Sequence, residues 1–201
     1  MPQVISSKRW IVDILVKMKK PILFVDCDDT IENFCEVWVE ELNKKYNMNY
    51  STEDITEWDI QNFYPGTTKE ELLEVANSAK FWNKVKPKND AIVYLYLLQE
   101  YFDIYIVTSG SYRSMYYKVP KIIKKYFWYI PEQNIICCTD KHLLNGDYLI
   151  DDNPANLIDG NPSYKGILYS APHNKYFDCE KHHIKRLKSW ENIFTFLVDN
   201  Q

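Results

Sequence analysis

The chain has 201 residues, of which 46% are hydrophobic and 26% charged, and its formal net charge is −4. That length suits one domain with a sizeable insertion, and the apolar share is enough for a real core. The acidic balance argues against a protein built to cover a nucleic-acid backbone, so no stable nucleic-acid complex is expected.

No run reaches ~18 apolar residues, so no segment is expected to span a membrane. Residues 1–19 carry basic residues on both sides of a short apolar stretch and lack a small-residue cleavage site. They read as an amphipathic helical extension packed on the domain. Five cysteines, with no Cys-x-x-Cys pair, read as reduced thiols of a cytoplasmic protein. Cys179 precedes His182 and His183, but the spacing for four zinc ligands is incomplete.

The first strand is expected at "PILFVD" (21–26), an apolar run that closes on acid. Residues 35–86 then read as a helical insertion. Two capping signals punctuate it, Ser51-Thr52 before Glu53 and Asp54, and Thr67-Thr68 before Glu70 and Glu71. Residues 89–102 read as a helix feeding a second strand at "FDIYIVTS" (102–109). A helix interrupted at Pro120 follows over 111–127, then a loop at Pro131. A third strand is expected at "GDYLIDD" (146–152) and a weaker fourth at "KGILYSA" (165–171). Strands alternating with helices predict an α/β fold with a mostly parallel, Rossmann-like sheet. The resulting division is a core of 20–34 and 87–201, with 35–86 inserted as a helical cap.

Ligands of such sheets bind beyond the carboxyl ends of the strands, where this chain puts its acids and hydroxyls. "FVDCDDTIENF" crowds Asp26, Asp28 and Asp29 behind an apolar strand. Ionised carboxylates so close call for a cation, and oxygen donors suit Mg2+. One carboxylate of such a pair can attack phosphorus while the other moves protons. At the end of the second strand, Thr108 and Ser109 can donate to phosphate oxygens. Lys141 stands before the third strand, whose end supplies Asp151 and Asp152, with Asn156 just beyond. Taken singly, each reads as a solvated turn or a surface charge; in this order, on these strand ends, they read as one site.

"DCDDT", "VTS", Lys141 and "IDD" together resemble the four motifs of the haloacid-dehalogenase-like phosphohydrolase superfamily. With "FWNKVKPKNDA", "SAPHNKYF" and "RLKSWENI", the chain from about residue 20 onward is similar to the 5′(3′)-deoxyribonucleotidases. Two departures touch the phosphate loop: Asp29 stands where the family often has Gly, and Gly110 where familiar members have Pro. The resemblance implies a Mg2+-dependent phosphatase of nucleoside monophosphates with a small helical cap. It implies Asp26 as nucleophile and metal ligand, and Asp28 as general acid/base with its carbonyl on the metal. Thr108, Ser109 and Lys141 would bind the phosphoryl group. Asp152 would be the direct metal ligand, with Asp151 behind it and Asn156 steadying the loop. Phe34, Trp58, Phe81 and Trp82 are candidates for a slot that stacks on the base, as aromatics do for nucleobases. His142 and His173 are left without a role. The alternatives are a phosphatase of the same superfamily for another small monoester or a nucleic-acid end, and a silent nucleotide-binding protein. The sequence leaves monomer and homodimer both open.

Overall fold

The computed structural model describes residues 19–88, 90–158 and 162–200. The expected N-terminal extension therefore lies outside the described residues, apart from Lys19. Six parallel strands form one sheet in the order β3-β2-β1-β4-β5-β6: β1 Ile22–Asp26, β2 Asp103–Thr108, β3 Ile135–Cys137, β4 Tyr148–Asp151, β5 Lys165–Tyr169 and β6 Lys185–Leu187. The helices are α1 Phe34–Tyr46, α2 Lys69–Leu73, α3 Ala79–Lys84, α4 Ala91–Leu98, α5 Tyr112–Lys118, α6 Lys124–Tyr126, α7 Ala155–Ile158 and α8 Trp190–Asp199. None of them is long and apolar enough to cross a membrane.

The central strands read as unbroken apolar runs because both of their faces are covered. Side chains alternate across the pleat. Leu23 and Val25 join Ile104, Ile106 and Ile150 against Leu95 of α4 and Ile193 and Leu197 of α8. Phe24 and Leu149 pack the opposite layer with Leu157, Tyr164 and Leu168. The chain order reverses beside β1, which lies between β2 and β4, so the carboxyl ends of these three strands meet at one crevice.

Between β1 and β2 the chain is helical and has its own small core, in which Cys35, Val39 and Leu42 of α1 meet Ile55, Ile60, Tyr64 and Leu72. The Thr68–Glu71 capping box starts α2, and Ser51 with Asp54 closes another short turn. Two chain segments join this part to the sheet. Glu32 bridges Pro87, the Asn33 N–H donates to the Lys86 carbonyl at 3.0 Å, and the Lys88 N–H to that of Ile31 at 2.8 Å.

Three local expectations differ from the structure. Pro120 does not interrupt the helix after β2; Val119–Ile123 form one widened π turn that carries α5 into α6. The helix before β2 stops at Leu98 because the Tyr101 and Phe102 N–H groups turn back onto the Leu98 carbonyl, aiming the chain into the strand. The strands β3 and β6 were not expected. Each has three residues at or near the sheet edge, and main-chain pairing with β2 and β5 defines them more than any apolar pattern does.

Candidate active site

Asp26 is the last residue of β1, so its side chain leaves the sheet at the crevice mouth and is 7% exposed. Past it the chain turns on itself, the Ile31 N–H donating to the Cys27 carbonyl at 3.0 Å. The Trp190 indole of α8 donates to the Thr30 carbonyl at 3.1 Å and pins the turn from the sheet side. Asp29 takes the positive-φ position of this turn, at φ 55°. An aspartate tolerates that conformation better than most side chains. Its carboxyl oxygens accept from the Cys35 N–H at 2.9 and 3.1 Å, so it caps α1. Burial, with Asp152 nearby, pushes its pKa up to about 7.

The four expected motifs meet. Lys141, in a short turn before β4 and 2% exposed, donates to Asp26 Oδ1 and, at 2.6 Å, to Asp151 Oδ2. Asp151 also accepts from the Asn153 N–H and the Asn156 amide, both at 2.9 Å, so both its oxygens are occupied. Asp152, 2% exposed, has one side-chain partner among the described residues, His173, whose Nε2 lies 2.7 Å from Oδ2. Carboxylate oxygens of Asp26, Asp151 and Asp152 all lie within 4.8 Å of one another. Burial and the neighbouring carboxylates push the Asp26 and Asp152 carboxyls well above the usual range. Burial works against the Lys141 ammonium too, yet Asp151 and Asp26 outweigh it and hold its pKa above the ordinary lysine value.

With its three carboxylates ionised this cluster would hold more negative charge than one lysine offsets, and its free donors are oxygens alone. Those are the conditions that suit a magnesium ion, with Asp26 and Asp152 as the carboxylates open to it. No grouping of Cys179 with His182 and His183 among the described residues is close enough to hold a metal, and His182 instead stacks on Phe177.

The sequence reading missed Lys118. It lies on the buried face of α5, in register with Ser114 and with Ile122 of the π turn, and is 1% exposed. Its ammonium donates to Asp28 Oδ2 at 2.7 Å, Thr108 Oγ1 at 2.9 Å and the Ser109 carbonyl at 3.0 Å. Burial opposes its charge, but Asp28 outweighs this and its pKa is pushed up to about 12. The available signal was a lysine repeating at helical spacing among buried residues. Glu32 was also missed. It is fully buried, and neither of its oxygens nor Asp28 Oδ1 has a hydrogen-bond partner among the described residues. Burial and the adjacent Asp28 push the Glu32 pKa well up.

Of the four aromatics expected in the slot, Phe34, Phe81 and Trp82 meet one another and Trp58 stands apart. Phe81 and Trp82 are 1% exposed and pack against Phe34, with ring centroids 5.2 and 5.8 Å away. Trp38 covers Phe34 from another side at 5.3 Å. Trp58 alone of the four is open, 54% exposed, with its ring edge-on to His173 at 5.2 Å. His142 pairs with its neighbour Asp140 and touches none of the site carboxylates.

A family model described as "5' nucleotidase, deoxy (Pyrimidine), cytosolic type C protein" matches residues 20–201. The chain belongs to this nucleotidase family. Membership makes it, by class, a phosphoric monoester hydrolase. It is 35% identical over 160 residues to a 5'(3')-deoxyribonucleotidase of Clostridium acetobutylicum, covering 79% of this chain and 86% of that one. The fold is shared with a haloacid dehalogenase-like protein of Agrobacterium tumefaciens at a TM-score of 0.61, with 13% identity over 90% of this chain and 99% of that one. A HAD hydrolase of Bacillus subtilis, bound to magnesium, superposes at a TM-score of 0.50, with 16% identity over 90% of this chain and 99% of that one.

Proposed function

We propose that this nucleotidase removes phosphate from (deoxy)nucleoside monophosphates through an aspartyl-phosphate on Asp26, with Mg2+ as cofactor. The observation that carries the reading is the meeting of Asp26, Asp28, Lys141, Asp151 and Asp152 with the Thr108–Ser109 pair at one crevice. Family membership and the 5'(3')-deoxyribonucleotidase relative support the substrate class.

In the first half-reaction an Asp26 oxygen bonds to phosphorus as the bond to the nucleoside oxygen breaks. Asp28, held at Oδ2 by Lys118, gives its proton to the leaving oxygen. Lys141 fixes Asp26 through Oδ1 and offsets phosphoryl charge. The Ser109 and Thr108 hydroxyls orient the phosphoryl oxygens, with Thr108 itself held by Lys118. In the second half, Asp28 takes a proton from water, which bonds to phosphorus and frees Asp26 and inorganic phosphate. Asp26, Asp152 and the Asp28 carbonyl would hold the magnesium ion, which when bound would offset the repulsion between an attacking carboxylate and an anionic phosphate. The helical part over 35–86 acts as the cap over this site.

The test is phosphate release from a panel of nucleoside monophosphates with Mg2+, comparing wild type with Asp26→Asn. The amide is near-isosteric but a useless nucleophile, so turnover is expected to fall by at least about a hundredfold while the fold survives. No turnover of any monophosphate by wild type, or a tenth of wild-type activity kept by the variant, overturns the proposal.

A further inference from the structure

The turn Pro172–Asn174 follows β5 and grips Asp152 twice. His173 Nε2 meets Asp152 Oδ2 at 2.7 Å, and the Asn174 amide donates to the Asp152 backbone carbonyl at 2.7 Å. Asn174 is itself locked. It also donates to the Tyr169 carbonyl at 2.9 Å, accepts from the Ala171 N–H at 3.1 Å, and takes Arg186 Nη1 of β6 on its own oxygen at 2.7 Å. Arg186 Nη2 adds bonds at 2.9 Å to the carbonyls of Asn174 and Phe177. The His173 ring is walled by Trp58, edge-on at 5.2 Å, while Asp29 and Cys35 lie close enough for their polar atoms to fall within 4.8 Å of it. The imidazole is therefore a held group and not a swinging one.

We infer that His173 is the positioning residue for Asp152. Its Nε2–H fixes one carboxylate oxygen so that the other is presented to the divalent ion. A metal-bound carboxylate can only accept hydrogen bonds, so the imidazole must donate. Outer partners that fix a ligand's orientation typically change metal affinity by about 10- to 100-fold. Trp58 belongs to the helical part between β1 and β2, so the ring that sets the ligand rests on that part of the chain. The inference rests on the metal-dependent reading above, and its primary readout is metal binding without substrate.

Manganese is the probe, because free Mn2+ is counted directly by its paramagnetic resonance signal. Wild type is expected to bind one ion per chain. His173→Phe keeps a ring against Trp58 but removes the donor, and is expected to weaken Mn2+ binding by about 10- to 100-fold. His173→Gln places an amide N–H near the Nε2 position and is expected to recover affinity to within about threefold of wild type. In turnover, the deficit of His173→Phe should shrink as Mg2+ is raised. Thermal melts of both variants check the fold. His173→Phe with wild-type Mn2+ affinity, or a His173→Gln variant as weak as the Phe variant while folded, overturns the inference and leaves the phosphatase reading standing. Wild type that binds Mn2+ but hydrolyses no monophosphate overturns that reading and leaves His173 in its role. Wild type that binds no Mn2+ removes the role with the metal.

Discussion

Lys118→Met is the most informative single change in the crevice. The substitution keeps the side chain's length and apolar body in a position that is 1% exposed, and removes only the ammonium. Three acceptors lose their donor at once: Asp28 Oδ2, Thr108 Oγ1 and the Ser109 carbonyl. Breaking a buried ion pair from one side typically costs about 3–5 kcal/mol. Here the Asp28 side chain is 32% exposed, so water screens part of the loss and about 2–3 kcal/mol is the reasonable figure. In a chain of this length that lowers the thermal midpoint by about 4–12 °C. The effect on turnover should be larger in proportion. Without Lys118 the Asp28 carboxyl and the Thr108 hydroxyl both lose their anchor, and general acid–base catalysis is worth about 10²–10⁴ in rate. Phosphate release is measured at saturating Mg2+ and nucleoside monophosphate, alongside a circular-dichroism melt. A kcat within about threefold of wild type in a folded variant would refute the anchoring argument, because an acid/base that needs no anchor leaves the buried lysine without this function.

Activity is expected to vanish in excess chelator and return on adding Mg2+, since the open donors of Asp26 and Asp152 are oxygens; full activity with no metal by elemental analysis contradicts this. Phe34→Ala should cost about 3–5 kcal/mol of stability, read by denaturant melts, because it empties a site packed by three aromatic rings. Trp58→Ala should leave stability nearly unchanged but lower kcat/KM for a nucleoside monophosphate by at least about fivefold at saturating metal, with a smaller loss on acetyl phosphate. Equal losses on the two substrates would remove Trp58 from base recognition. Glu32→Gln tests the buried carboxyl. The folded pKa of Glu32 is raised, so this group costs wild type stability as pH climbs above the unfolded glutamate value, a loss the amide variant escapes. The stability gap should open in the variant's favour by up to about 1.4 kcal/mol per pH unit; a gap that stays flat from pH 5 to about pH 8 refutes it.

The sequence by itself carried the parts of this protein that depend on local pattern. β1, β2 and β4 were legible because strands covered on both faces must be apolar throughout, and each ends on the charge or hydroxyl that the crevice needs. That Asp26, Asp28, Thr108, Lys141, Asp151 and Asp152 would meet at one place was legible too, since their fixed order at or beside strand ends is a one-dimensional signal. Tertiary structure alone decided the rest. The edge strands β3 and β6 are held by main-chain pairing, which leaves little trace in side-chain type. Which lysine is buried depends on which face α5 turns to the sheet, and that choice brought Lys118 to Asp28 across 90 residues of chain. It likewise set His173 on Asp152, and it drew Phe81 and Trp82 into the core while leaving Trp58 open. Aromatic residues look alike in a sequence; whether one packs or recognises depends on the area its neighbours leave uncovered, and only the folded chain fixes those neighbours.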